Sequence, residues 1–210
     1  MCIKTEQVVL GSVATNCYLI INDDEKKCVL VDPADNAAFI RDMIERSGCT
    51  LKAVLLTHGH ADHMSAADEL RRMFGVKLYA GDKEKQVLKV SDMNLSTMLL
   101  DKDISLFADE WLSDGQELKI GKMTIKCLHT PGHTEGGVCY YIKQAGILFS
   151  GDTLFCASIG RTDFPTGSMS DLVHSIKEKL FTLPDDTKIY PGHGESSTIA
   201  YEKQHNPYCQ

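Results

Sequence analysis

No window of this 210-residue sequence approaches the roughly 18 consecutive apolar residues that cross a bilayer. The opening, MCIKTEQVVLGS, also lacks the charged start and long apolar stretch of a secretory leader. On both counts the chain reads as cytoplasmic, with no membrane among its partners. Basic runs are equally missing. Twenty-two Lys and Arg stand against 29 Asp and Glu, a formal net charge of -7, which repels phosphate backbones and makes nucleic acid a disfavoured partner. There is no Pro-, Gly- or Ser-rich linker, no fixed-period repeat and no low-complexity tract, so residues 1–210 are expected to form one continuous domain. Nor is there a Cys-x-x-Cys pair. The eight cysteines are scattered, most of them in apolar runs such as KKCVLV and GGVCYY, which predicts reduced thiols packed as small hydrophobes.

What is present is an ordinary globular composition, 43% hydrophobic and 24% charged, with ordered patterning. VVLGSVATNCYLIIND and KKCVLVDP are β-branched, apolar and separated by turn residues, the pattern of an antiparallel meander. AAFIRDMIERSG places Phe39, Ile40, Met43 and Ile44 at helical spacing before Gly48. LKAVLLTH is a short apolar run without alternation, as in a strand buried on both faces. HMSAADELRRMFG predicts a helix, VKLYAG a strand, and KEKQVLKVSDMNLSTMLL one further helix. ELKIGKMTIKCLHT then predicts a hairpin turning at Gly121-Lys122, followed by strands at GGVCYYI and GILFSGD, a helix at SMSDLVHSIKEKLFTLP and a strand at TKIYPGH. The order indicates an α/β (α+β) architecture of two mixed sheets face to face, with helices outside.

The chemistry gathers behind these strands. Thr57-His58-Gly59-His60-Ala61-Asp62-His63 holds three of the eight histidines, and His133, Asp152 and His193 each follow another predicted strand. His58 and His60 are two apart in an extended segment, so both imidazoles can reach one metal. Asp62 and His63 open the next helix and are displaced toward a second ion. His133 would complete the first site and His193 the second, with Asp152 giving one oxygen to each. Imidazole and carboxylate without thiolate suits two divalent ions, zinc first, with iron or manganese also compatible. Two such ions ~3.5–4 Å apart can share a hydroxide and polarise a carbonyl, which is hydrolysis without a covalent nucleophile. Asp62 and Asp152 are the residues expected to serve the reaction itself. Asp32, ending a strand in VLVDPA, has the placement of a carboxylate that orients a ligand histidine. Cys156 is expected to pack as a small hydrophobe, Ser196 to cap the last helix, and His129, His174 and His205 to be structural or superficial.

These motifs resemble the metallo-β-lactamase superfamily, and within it the glyoxalase II-like hydrolases. T-H-G-H-A-D-H matches the family's T-H-x-H-x-D-H signature, and HTPGHTEGGV, FSGDTLF, GRTDFP and YPGHG match its later blocks. The resemblance implies a four-layer αββα sandwich, with His58, His60, His133 and Asp152 on one metal and Asp62, His63, Asp152 and His193 on the other. No thiolate stands at Asp152, as in true β-lactamases, and no glutamate at His60, as in di-iron flavoprotein oxidases. Only 17 residues follow His193, too few for the helical domain that holds glutathione in glyoxalase II; the short bacterial members of the family lack it too. Arg161 and Lys203 are the candidate anion contacts, with structural ion pairing the plainer role for each.

The leading expectation is a metal-dependent thioesterase of the hydroxyacylglutathione hydrolase type, acting through a metal-bridging hydroxide on a small-molecule acyl thioester. The alternative is an oxidoreductase similar to the persulfide dioxygenases, with one iron at His58, His133 and Asp152. The Pro191-Gly192-His193-Gly194 segment has the hydrolase form.

Overall fold

In the computed structural model, which describes residues 2–210, the apolar opening segments pair as a meander. Strands β1 (Ile3–Leu10), β2 (Thr15–Asn22) and β3 (Lys27–Val31) run antiparallel to one another. Helix α1 (Ala37–Arg46) then carries the chain back so that β4 (Thr50–Leu55) lies parallel to β3. Short helices α2 (Ala61–Met64) and α3 (Ala67–Phe74) precede β5 (Lys77–Gly81), and α4 (Lys85–Lys89) and α5 (Ser96–Leu100) precede β6 (Glu110–Leu112). These strands form one sheet in the order β1-β2-β3-β4-β5-β6.

The second sheet begins with the expected hairpin. Strands β7 (Glu117–Ile120) and β8 (Met123–His129) turn at Gly121-Lys122, where Gly121 takes a φ of +62° that favours glycine. Then come β9 (Val138–Ile142), β10 (Ile147–Gly151), the small ribbon β11 (Leu154–Phe155) and β12 (Ser158–Ile159), α6 (Met169–Glu178), β13 (Lys188–Pro191), β14 (Ser197–Thr198) and α7 (Ile199–His205). The sheet order is β14-β13-β10-β9-β8-β7.

Three apolar layers bind the whole. Tyr18, Ile20, Val29 and Leu55 of the first sheet pack on Ile125, Cys127, Tyr140 and Phe149 of the second. The other face of the first sheet is covered by Ile40 and Ile44 of α1 and Leu70 of α3, and that of the second by Leu172 and Ile176 of α6. Both sheets therefore have two dry faces. All eight residues of β2 are buried, which is why its sequence shows no polar alternation, whereas β1 at the sheet edge keeps exposed positions. The described residues thus form the expected αββα sandwich. Seven of its cysteines other than Cys2 are buried or half-buried, and all eight are free thiols.

Three local expectations are corrected. The stretch 83–100 is not one helix but α4 and α5, because Asn94 competes for backbone groups: its side chain accepts from Ser96 N at 2.9 Å and donates to Ile104 O at 2.8 Å, with Leu95 turned to a φ of +63°. The helix expected from His63 starts at Ala61 and is interrupted at Ser65-Ala66, where Ala66 N bonds Pro33 O at 3.0 Å. The last helix is capped by Thr198, whose hydroxyl accepts from Tyr201 N at 3.2 Å, and not by Ser196.

Candidate metal centre

The catalytic-type residues meet where four strands end. β4 leads to His58, β8 to His133, β10 to Asp152 and β13 to His193, and cross-sheet hydrogen bonds hold these ends together. Val138 N donates to Thr57 O at 2.8 Å and the Tyr140 hydroxyl to Leu56 O at 2.7 Å, joining the first sheet to β9. Gly192 N donates to Gly151 O at 2.8 Å. A β-carbon on Gly192 would stand 2.2 Å from Asp152 Oδ1, so glycine is needed for that approach.

Two clusters result. His58 Nε2 lies 3.1 Å from His60 Nδ1, and His133 Nε2 lies 2.9 Å from that same atom. His63 Nε2 is 3.3 Å from His193 Nε2, and both are within reach of Asp62 Oδ2, at 3.5 and 3.3 Å. Between the clusters stands Asp152, its Oδ1 3.3 Å from His63 Nε2 and its Oδ2 3.6 Å from both His133 Nε2 and His193 Nε2. The three groups of ligand atoms compact enough to hold a metal ion are His58-His60-His133, His58-His63-Asp152 and Asp62-His63-His193.

The outward ring nitrogens are already committed. His63 Nδ1 faces Asp32 Oδ2 at 3.1 Å, His133 Nδ1 faces Arg161 O at 2.7 Å, and His58 Nδ1 faces Thr57 Oγ1 at 3.1 Å. Each such contact leaves Nε2 aimed inward. Asp152 Oδ1 is buried with no hydrogen-bond partner. Converging imidazole nitrogens around an orphaned carboxylate oxygen fit divalent cations.

The charges without metal follow from the same neighbours. Burial disfavours charge on His58 and, with His133 nearby, brings His60 down to about 3. Burial also opposes charge on His63, but the carboxylates of Asp62, Asp152 and Asp32 outweigh it and hold its pKa well above the ordinary value. Asp152 is held down to about 2 because His63, His133 and His193 overcome its desolvation, and Asp62 is held below the usual carboxylate range by His63, His193 and Thr15.

Three supporting residues had no place in the sequence reading. Thr15 Oγ1 donates to Asp62 Oδ2 at 2.9 Å. Asn16 Nδ2 donates to Pro191 O and Gly194 O at 2.9 and 3.0 Å, clamping the His193 loop. The fully buried Glu84 accepts from Gly59 N at 2.8 Å and Thr134 Oγ1 at 3.0 Å, tying the His58–His60 loop to the His133 loop. A polar pair inside the apolar run VATNCYLII was the one visible signal for Thr15 and Asn16. Glu84 sits in a Lys- and Glu-rich stretch that looks like a solvated face.

The remaining candidates fall as follows. Asp32 accepts from Thr57 N and Thr57 Oγ1 at 2.8 and 2.7 Å as well as facing His63, and adopts a φ of +48° to do so. Arg161 lines the cleft above the clusters, but its guanidinium is paired with Asp163 at 2.7 Å. Lys203 pairs with Asp185 at 2.6 Å, away from the site. Cys156 lines a separate surface hollow beside α7. His129 bonds Glu135 O at 2.9 Å and His205 packs on Tyr201, both outside the clusters.

Sandwich, strand-end ligands and paired clusters define a class of metal-dependent enzyme, and comparison with known proteins agrees. Residues 10–193 match the Metallo-beta-lactamase superfamily, and the chain belongs to it. Over 206 residues it is 38% identical to the probable metallo-hydrolase YqgX of Bacillus subtilis, covering 98% of this chain and 97% of that one. It is also 38% identical to the hydroxyacylglutathione hydrolase GloC of Haemophilus influenzae, covering 97% and 96%. Among solved structures it is similar to the BLEG-1 B3 metallo-beta-lactamase, with a TM-score of 0.92 at 39% identity over 98% of this chain and 99% of that one. It is similar as well to ETHE1 from Myxococcus xanthus (TM-score 0.81, 32%, covering 99% and 84%) and to TTHA1623 in a di-iron-bound form (0.85, 30%, covering 97% and 99%). Membership of this metallo-hydrolase superfamily and a His/Asp cluster compact enough to hold metal support hydrolase activity. No helix among the described residues is long and apolar enough to cross a membrane.

Proposed function

We propose that this protein is a thioesterase of the hydroxyacylglutathione hydrolase type. His58, His60, His133 and Asp152 hold one divalent ion, and Asp62, His63, Asp152 and His193 hold a second. The observation that carries this reading is Asp152, whose carboxylate reaches both histidine clusters: Oδ1 lies 3.3 Å from His63 Nε2, and Oδ2 lies 3.6 Å from both His133 Nε2 and His193 Nε2. Similarity to a named hydroxyacylglutathione hydrolase supports the substrate class. Zinc is the first candidate for the ions, and the di-iron-bound relative keeps iron in contention.

Two bound ions supply a hydroxide at neutral pH and an electrophilic partner for the substrate carbonyl. The chain's own residues do the rest. His58, His60 and His133 on one side and His63 and His193 on the other fix the geometry across which the carbonyl lies. Asp62, kept ionised by His63 and His193 and hydrogen-bonded by Thr15, would serve the reaction as the anionic ligand that fixes the second ion beside the hydroxide. The leaving thiol, with a pKa near ~8.5, departs as thiolate without a dedicated acid.

The test is turnover by the metal-loaded protein on S-lactoylglutathione and simpler acyl thioesters, with a β-lactam and a persulfide as parallel substrates. Metal-dependent thioester cleavage is expected, with two ions per chain. One iron per chain with oxygen uptake on the persulfide would instead support the oxidoreductase alternative, and β-lactam cleavage alone would also overturn the reading. Asp152→Ala is expected to lower kcat/KM by more than ~100-fold and to weaken both ions, measured by turnover and by metal analysis after dialysis.

A further inference from the structure

We propose that the cleft over the metal centre selects a short, uncharged apolar acyl chain, with Met98 and Phe164 as its specificity-determining residues. This rests on the hydrolase reading for the identity of the reacting bond and departs from it on the carrier, because glutathione's carboxylates find no free cation among the described residues of the cleft. The cleft encloses about 290 Å³, at the small end of ligand sites, and its floor is made by the two histidine clusters and Asp152.

Half of the residues that line it are apolar. Val13, Leu95, Met98, Leu99, Phe155 and Phe164 supply the apolar lining. Phe164 stands edge-on to His60 with centroids 5.8 Å apart, and Phe155 edge-on to His193 at 6.2 Å, so each metal cluster has an aromatic ring beside it. Met98 is 60% exposed and Val13 40% exposed, apolar surface left in water at the mouth of the site. The lining is fixed in place: Ala61 N donates to Asn94 O at 2.7 Å, tying the α4–α5 turn to the helix that carries Asp62 and His63.

Charge points the same way. Arg161 is the only Lys or Arg lining the cleft among the described residues. Its guanidinium is bidentate on Asp163, at 3.0 and 2.7 Å, and lies 4.2 Å over the Phe164 ring. That cation is neutralised and stacked, and the exposed Asp163 beside it repels a carboxylate. A carrier recognised through several carboxylates finds no free cation here. An aliphatic or aromatic acyl chain finds an apolar lining and, in Met98, an exposed side chain that can pack on it.

The test is calorimetric binding to the metal-loaded protein of a hydroxamate series with one metal-binding head: acetyl, butanoyl and hexanoyl tails, plus a 3-carboxypropanoyl tail. Affinity should rise by about fourfold for each methylene that enters the cleft, and the terminal carboxylate should cancel the gain. Met98→Ser and Phe164→Ser should each reduce the hexanoyl-to-acetyl affinity ratio by about threefold or more. Equal affinity along the series, absence of binding by every member, or tighter binding of the carboxylate tail than of hexanoyl would overturn the proposal. Acetyl and hexanoyl thioesters assayed alongside keep the two readings apart: ranked hydroxamates without thioester turnover reject the hydrolase reading, and turnover with unranked hydroxamates rejects the cleft preference.

Discussion

At the scale of single residues, Asp32 shows how much a site depends on groups one bond removed from the metal. Its left-handed φ of +48° is costly for a non-glycine residue, and three hydrogen bonds to Thr57 and His63 hold it there. One oxygen fixes the His63 ring so that Nε2 points inward. Asp32→Asn places an amide nitrogen among donors, and metal affinity is expected to fall about 10–100-fold in chelator competition. Unchanged affinity would show that the ring is oriented by packing alone. The sequence made this residue half legible, because VLVDPA puts an acid at a strand end but equally suits a turn. The candidate ligands could be named from the sequence, since five histidines and two aspartates each stand directly behind a strand or in one dense heptapeptide. For Arg161 the sequence made ion pairing the plainer role, and the structure agrees; its stacking on Phe164 depends on a loop conformation that no local pattern encodes.

At the scale of elements, the strands were readable and the short helices were not. A strand buried on both faces announces itself by an unbroken apolar run, as residues 53–55 of β4 and residues 147–149 of β10 do. The break between α4 and α5 depends on where Asn94 finds carbonyls to bond, including Ile104 O ten residues away, which no helical periodicity reveals. Glu84 is a similar case. It is a buried link between two ligand loops, and Gly136 leaves it room, since a β-carbon there would stand 2.2 Å from Glu84 N. Glu84→Ala would leave Gly59 N without its acceptor, at a cost of about 1–3 kcal/mol in chemical unfolding, with looser metal at the first cluster. Burial, opposed by hydrogen bonds from Gly59, Thr134 and Gly136, raises the Glu84 carboxyl to about 7. Its folded pKa exceeds the unfolded one, so its contribution is largest below the unfolded value and declines as pH rises toward 7. The penalty of Glu84→Ala should therefore be larger at pH 5 than at pH 8, and a penalty that grows with pH would contradict the assignment.

At the scale of the whole molecule, the metal centre is a repository of opposed charge preferences that only cations reconcile. In the metal-free protein His58 and His60 are depressed, so the stability they carry is present above the unfolded histidine value and is lost as pH falls below it. Asp152, held down to about 2, adds a further loss in stronger acid. His63 and His193 run the other way: their raised pKa values give a contribution that is full below the unfolded value and is lost as pH rises through the folded one. Metal requires all of these nitrogens unprotonated, and His63 is the one that holds its proton most firmly. Adding zinc to the metal-free protein at pH 7 should release more than one proton per chain, from His63, from His193 and from the water that becomes hydroxide, read with an indicator in weak buffer. The gain in Tm on loading should increase between pH 6 and pH 8, because proton competition at His63 and His193 weakens over that interval. Full loading without proton release would mean that His63 is neutral before metal arrives, and that the carboxylates of Asp62 and Asp152 do not hold a charged imidazole between them.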